Sequence, residues 1–170
     1  MFYCINEFDK DGWNILHYSA ESGNIDLVTM IIEKYHFDIN DNTHTGKSAL
    51  SIACEEEEKN VIKYLCRKGA NIKHSLHNHV RYNKPKIVYY LVKYGVISSS
   101  EYEDENNPLH LSVSLNFSNI TNQLLKYAPW MMSCTNHQGK KPLDLITKST
   151  SEKIKSLFEE YFHNNILSKE

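Results

Sequence analysis

Gly12-Trp13-Asn14-Ile15-Leu16-His17 decides the reading of this chain, because the segment returns. Gly46-Lys47-Ser48-Ala49-Leu50-Ser51 repeats its pattern, and so do Asn107-Pro108-Leu109-His110 and Gly139-Lys140-Lys141-Pro142-Leu143-Asp144. The leucines Leu16, Leu50, Leu109 and Leu143 are 34, 59 and 34 residues apart, and Leu76-His77 divides the 59 into 26 and 33. Five anchors in one register mark a repeat array, in which each unit is one supersecondary element.

The second half of each unit keeps the same register. Leu27, Val28, Ile31 and Ile32 recur as Val61, Ile62, Leu65 and Cys66, then as Ile87, Val88, Leu91 and Val92, then as Ile120, Thr121, Leu124 and Leu125. In the last unit only Ile154 and Phe158 persist, beside Lys155 and Glu159. Residues at i, i+1, i+4 and i+5 share one broad helical face, so each unit is predicted to carry two short amphipathic helices. Asp11-Gly12, Thr45-Gly46 and Gln138-Gly139 are turn signals between units, and the polar residues before each glycine can project as a hairpin.

Asp9-Lys10-Asp11-Gly12-Trp13-Asn14-Ile15-Leu16-His17-Tyr18-Ser19-Ala20, with Gly23-Asn24 after it, resembles the ankyrin repeat. Lys68-Gly69-Ala70-Asn71-Ile72 is similar to the turn that follows the second helix of that repeat. The resemblance runs from Asp9 to Phe162. It implies one all-α domain over residues 1–170, a solenoid of helix-turn-helix units with short β-hairpin or loop fingers. The expected units are 9–42, 43–73, 74–101, 102–135 and a degenerate capping unit 136–163, with a lead at 1–8 and a tail at 164–170.

The motif also has a physical logic of its own. Asn14, Ser48 and Asn107 stand before a first helix, where their side chains can satisfy free N–H groups. Pro108 and Pro142 suit a first helical turn, because proline has no N–H to lose there. The five leucines would form a stripe between units, none of which can bury its apolar face alone. Unit three lacks about seven residues before Leu76, so its finger should be truncated. Unit four has Glu105 for the turn glycine and the acidic run Glu101, Glu103, Asp104, which predicts an irregular finger. Unit two has Ser51 in place of the motif histidine, and unit five has Asp144. Ser151 to Phe162 reads as a charged helix that gives the cap a polar outer face.

The chain has 170 residues, 19 Lys+Arg against 21 Asp+Glu, and a net charge of -2. That balance offers no bulk basic field for nucleic acid. No segment reaches the roughly 20 apolar residues that span a bilayer, and Met1 to Asp9 lacks the basic and apolar regions of a signal peptide. Cys4, Cys54, Cys66 and Cys134 form no CxxC pair, which suits reduced thiols in the cytoplasm or the nucleus. His74, His77 and His79 lie close together without a matching cysteine or carboxylate, so no metal is expected. By the resemblance, His17, His77 and His110 are structural. There is no nucleophile motif and no phosphate-binding loop, so neither a catalytic activity nor a cofactor is expected.

The resemblance implies partner binding through the fingers and the concave face of the first helices. Mapped onto this chain, those positions are Lys10, Asp11, Trp13, Glu21 and Ser22 in unit one and His44, Lys47, Glu55 and Glu56 in unit two. Arg81 and Tyr82 follow in unit three, and Glu103 and Asp104 in unit four. Trp13 is expected to be exposed. The acidic positions predict a partner protein with a basic segment, bound by a monomer with no nucleic acid or membrane involved. The alternatives are a regulatory or targeting domain of a larger enzyme, and a pathogen or viral effector that mimics a host ankyrin protein. Tyr89, Tyr90 and Tyr94 read as packing residues, and Met131-Met132 beside Trp130 as buried.

Overall fold

The computed structural model describes residues 7–97 and 105–167. Among them are nine α-helices: α1 (Ile15–Glu21), α2 (Ile25–Tyr35), α3 (Ala49–Glu55), α4 (Lys59–Arg67), α5 (Lys73–Arg81), α6 (Pro85–Tyr94), α7 (Pro108–Ser114), α8 (Ser118–Tyr127) and α9 (Glu152–Leu167). Pro129–Met132 and Pro142–Leu145 form single 3-10 turns. No strand occurs among the described residues; a β-bridge joins Asn42 to Ser48. The chain divides into two compact units. The first runs to Ser75 and takes in Tyr94–Val96; the second holds Leu76–Lys93 and the chain from Ile97 onward.

Within the first unit, α1 begins at a reciprocal cap. The Asn14 side-chain oxygen accepts from Leu16 N (3.0 Å) and His17 N (3.1 Å). His17 Nδ1 in turn accepts from Asn14 N at 3.1 Å. Because Nδ1 faces an N–H, the ring proton sits on Nε2, which donates to Asp41 O at 3.1 Å, where the chain enters the next finger. In the second unit Asn107 and His110 repeat this at α7: His110 Nδ1 accepts from Asn107 N (3.2 Å), and its Nε2 donates to Lys140 O (2.9 Å). At α3, Ser48 Oγ accepts from Ser51 N (3.3 Å), and Ser51 Oγ donates to Ser48 O (2.8 Å), a bond that stays local.

Each helix pair is joined by the same turn. Asn24 N donates to Ser19 O, Glu58 N to Ala53 O, Lys84 N to His79 O, and Phe117 N to Ser112 O, all at 2.8–3.0 Å. The residue before each donor has positive φ: Gly23 (67°), Glu57 (57°), Asn83 (51°) and Asn116 (61°). This is the left-handed helix ending that glycine favours; only the first unit spends a glycine on it. Glu55-Glu56-Glu57-Glu58 is accordingly the solvated turn from α3 into α4.

The fingers are likewise one structure built three times. Gly12 N donates to Asp9 O, Gly46 N to Thr43 O, and Gly139 N to Asn136 O at 2.8–3.0 Å. Each finger is then closed by Asp9 N to Trp13 O, Thr43 N to Lys47 O, or Asn136 N to Lys140 O at 2.8–2.9 Å. The first residue's side chain ties the loop from inside: Asp9 Oδ1 accepts from Asp11 N and Trp13 N, and Asn136 Oδ1 from Gln138 N and Lys140 N. No third finger exists. Gly69 (φ 87°) ends α4, with Ala70 N bonded to Leu65 O at 3.0 Å, and α5 starts at Lys73.

Leu16, Leu50, Leu76 and Leu109 are at most 1% exposed, each stabilising its unit by about 2 kcal/mol. The second-helix face predicted for units two to four is buried in full: Val61, Ile62, Leu65 and Cys66; Ile87, Val88, Leu91 and Val92; Ile120, Thr121, Leu124 and Leu125. In unit one, Leu27 and Ile32 are half-buried.

Unit five departs from expectation. Its first helix is only the 3-10 turn Pro142–Leu145, and Leu143 is 40% exposed instead of joining the stripe. After Leu145 come Ile146, Thr147, Lys148, Ser149 and Thr150, which are β-branched or hydroxylic apart from the lysine. The hydroxyls bond locally, as in Thr147 N to Thr150 Oγ1 at 2.9 Å, and so compete with helix propagation.

Two measurements check this description. Burial holds the His17 and His110 imidazoles below the usual pKa of 6.5. Unfolding stability should therefore be flat above about pH 6.5 and fall as pH drops below it, because the unfolded chain then binds protons that the native rings refuse. Proton NMR should show His17 and His110 titrating below 6.5; titration of both at or above 6.5 would contradict it. Gly12 (φ 76°) leaves no room for a side chain, since a Cβ there would lie 2.7 Å from His44 N, whereas Gly46 at the same φ faces open space. Gly12→Ala should cost about 2 kcal/mol or more and Gly46→Ala about 1 kcal/mol by urea denaturation; equal costs would show that the first finger does not lean on the second.

Candidate partner-binding site

The first two fingers are joined through their backbones, because His44 N donates to Asp11 O at 3.0 Å. Of the sequence-predicted positions, this brings Asp11 and His44 together directly. Lys10, Asp11, His44 and Thr45 are all exposed on the finger tips. The Asp9 carboxylate anchors the first tip from beneath. A hydrogen bond from the Tyr18 hydroxyl and another from Trp13 N hold its pKa below the usual carboxylate range.

Trp13 is half-buried, not fully exposed as expected. Its ring lies 5.0 Å from that of Tyr18 and 6.0 Å from that of His17, so it packs on α1 of its own unit. Tyr18 is the residue that sequence reasoning missed: it is 49% exposed and stands beside Trp13 on α1. Aromatic character one turn after the finger was the available signal.

Glu21 and Ser22 are exposed at the end of α1, and Glu55 and Glu56 at the end of α3. Lys47 and Glu55 are paired at 2.6 Å, both part-exposed. The pair offsets the charge of Glu55 locally and leaves Glu56 as the stronger field source. The sequence up to Ser75, with Tyr94–Val96, holds twelve acidic and eight basic residues, a net charge of -4.

Where a third finger would stand, a polar cleft of about 290 Å³ opens. Asn40, Asn42, Ser48, Ser51, Asn71 and His74 line it. Asn40 Oδ1 accepts from Asn71 N at 2.8 Å, which ties the short link before α5 to the base of finger two. In the second unit, Arg81 ends α5 and Tyr82 follows it, 71% exposed. Glu103 and Asp104, with the rest of the unit-four acidic run, lie outside the described residues.

The chemistry of the remaining candidates is quiet. Burial pushes the Cys66 thiol up to about 12 and raises that of Cys54, so both stay neutral near pH 7. Cys54, Cys66 and Cys134 are free thiols, and Cys4 is outside the described residues. No group of three or more His, Cys, Asp or Glu side chains able to hold a metal occurs among the described residues. None of their helices is long and apolar enough to cross a membrane. Tyr90 is buried, Tyr89 packs edge-on against Tyr90 and Tyr127, and the Tyr94 ring takes Arg67 at 4.9 Å and Lys63 at 5.2 Å.

Comparison with known proteins agrees with the geometry. The family model "Ankyrin repeats (3 copies)" matches residues 2–75. A solved structure, the ankyrin repeat domain of Bcl-3, described as a unique member of the IkappaB protein family, superposes with a TM-score of 0.73. That match has 17% identity and covers 89% of this chain and 70% of the other. No curated protein matches. Ankyrin repeats generally mediate protein–protein interactions. The reciprocal Asn–His caps and the glycine fingers thus agree with both findings: residues 2–75 match ankyrin repeats, and the chain has the fold of an ankyrin-repeat domain.

Proposed function

We propose that the chain is a non-catalytic protein-binding module that takes a basic segment of a partner protein on the finger and first-helix surface of units one and two. The observation that carries this is the backbone-paired ledge of fingers one and two, with exposed Glu21, Glu55 and Glu56 at the ends of the helices behind it. A ledge fixed by backbone bonds loses little entropy on binding. The net charge of -4 on the unit that carries it favours a cationic segment and steers its approach.

Lys10, Asp11, Trp13, Ser22, His44 and Lys47 complete this surface, and the polar cleft beside finger two extends it. Arg81, Tyr82, Glu103 and Asp104 belong to the same proposal as positions farther along the chain. The module works as a monomer, as a scaffold, adaptor or inhibitor, without nucleic acid or membrane. The buried neutral thiols suit a reducing compartment, the cytoplasm or the nucleus.

Selection of a displayed peptide library on the protein tests the reading. Recovered peptides should be enriched in Lys and Arg, and their association rates should fall about tenfold between low and high salt. Glu21→Lys with Glu56→Lys, both surface changes, should remove the enrichment while leaving the urea midpoint in place. Salt-independent binding, or the same peptides recovered by the variant, would contradict it.

A further inference from the structure

The last repeat leaves an apolar groove open. Trp130 and Met132 from the 3-10 turn after α8, Leu143 from the following 3-10 turn, and Tyr161 and Phe162 from α9 line a groove of about 450 Å³. Lys141 is its one charged lining residue. The sequence predicts burial of Met131-Met132 beside Trp130 and a polar outer face for the cap. Met131 is buried, but Trp130 and Met132 are half-buried, and Leu143 and Phe162 are each 40% exposed. Large side chains with packing partners on one side only are where an incoming apolar group gains most.

Charge selects the occupant. Lys141 is exposed and, among the described residues, its ammonium makes no ion pair. Nearby in the chain, Lys140 and Lys148 are exposed as well. Of the acidic residues in this segment, Glu152 is engaged by Lys155 at 2.6 Å, and the Asp144 carboxylate accepts from the backbone N of Lys141 at 2.8 Å. Glu159 and Glu160 precede Tyr161 but do not line the groove. A second copy docked groove to groove would set Lys141 against Lys141, a like-charge contact that disfavours self-pairing.

We infer that this groove binds an acidic amphipathic segment of another protein, seating a bulky apolar side chain against Trp130, Leu143 and Phe162 and a carboxylate against Lys141. The site shares no residue with the ledge of units one and two and prefers the opposite charge.

Two labelled amphipathic helical peptides with the same Leu/Phe face, one with glutamates and one with lysines on the polar face, test it by fluorescence anisotropy. The glutamate peptide should bind at least about tenfold more tightly. Leu143→Asp should abolish its binding, Lys141→Glu should reverse the order of the two peptides, and Glu56→Lys should change nothing. Lys141 is on the surface, so its charge reversal remains informative even where Leu143→Asp unfolds the cap. Equal affinity for both peptides, binding by neither, or binding that survives Leu143→Asp would overturn the inference. So would a dimer in sedimentation velocity that Leu143→Asp dissolves, since the groove would then belong to a second copy.

Discussion

A neutral imidazole wedged between two backbone groups, one at the start of its own helix and one beside the following finger, is the bond on which the repeats depend. His17 accepts from Asn14 N and donates to Asp41 O; His110 accepts from Asn107 N and donates to Lys140 O. Only the neutral ring can do both at once, and burial keeps it neutral. The bond serves two purposes: it caps a helix too short to be stable alone, and it fixes where the next finger sits.

The exceptions follow from the same constraint. Unit two is followed by a missing finger, so an imidazole at position 51 would find no carbonyl opposite, and the chain has Ser51, whose hydroxyl bonds within its own turn. Unit five has Asp144, whose carboxylate covers the Lys141 N–H and reaches no further. A motif residue that varies in step with its partner's presence is evidence that the partner sets the choice. Beside Ser51 and Asp144 the surface also changes character: a polar cleft lies beside finger two and an apolar groove on the last unit.

Much of this was legible in the sequence. The leucine spacing gave the period, the paired i, i+4 positions gave the buried helix faces, and Asn14, Ser48 and Asn107 gave the caps, because each depends on contacts within one repeat length. The short spacing before Leu76 likewise revealed the missing finger. What could not be read depends on competition. Hydroxyl side chains after Leu145 outbid the helix that Pro142-Leu143 begins. Trp13 found Tyr18 and His17 on the helix that follows it and became half-buried. Lys47 reached Glu55 eight residues away and offset part of the acidic zone. None of these outcomes has a periodic signature, and the apolar groove exists only because two turns and α9 meet.

The most direct test of the central bond is the unfolding free energy of Ser51→His, measured by urea denaturation at pH 7.5. In an ordinary ankyrin unit this change restores the motif histidine and should stabilise. Here, with no following finger to accept its Nε2 proton, it should give no gain and a loss of up to about 1 kcal/mol from a half-buried donor without a partner. A gain of about 1 kcal/mol or more would mean that the histidine stabilises its own turn regardless of the next finger, and the account of how these units are joined would be wrong.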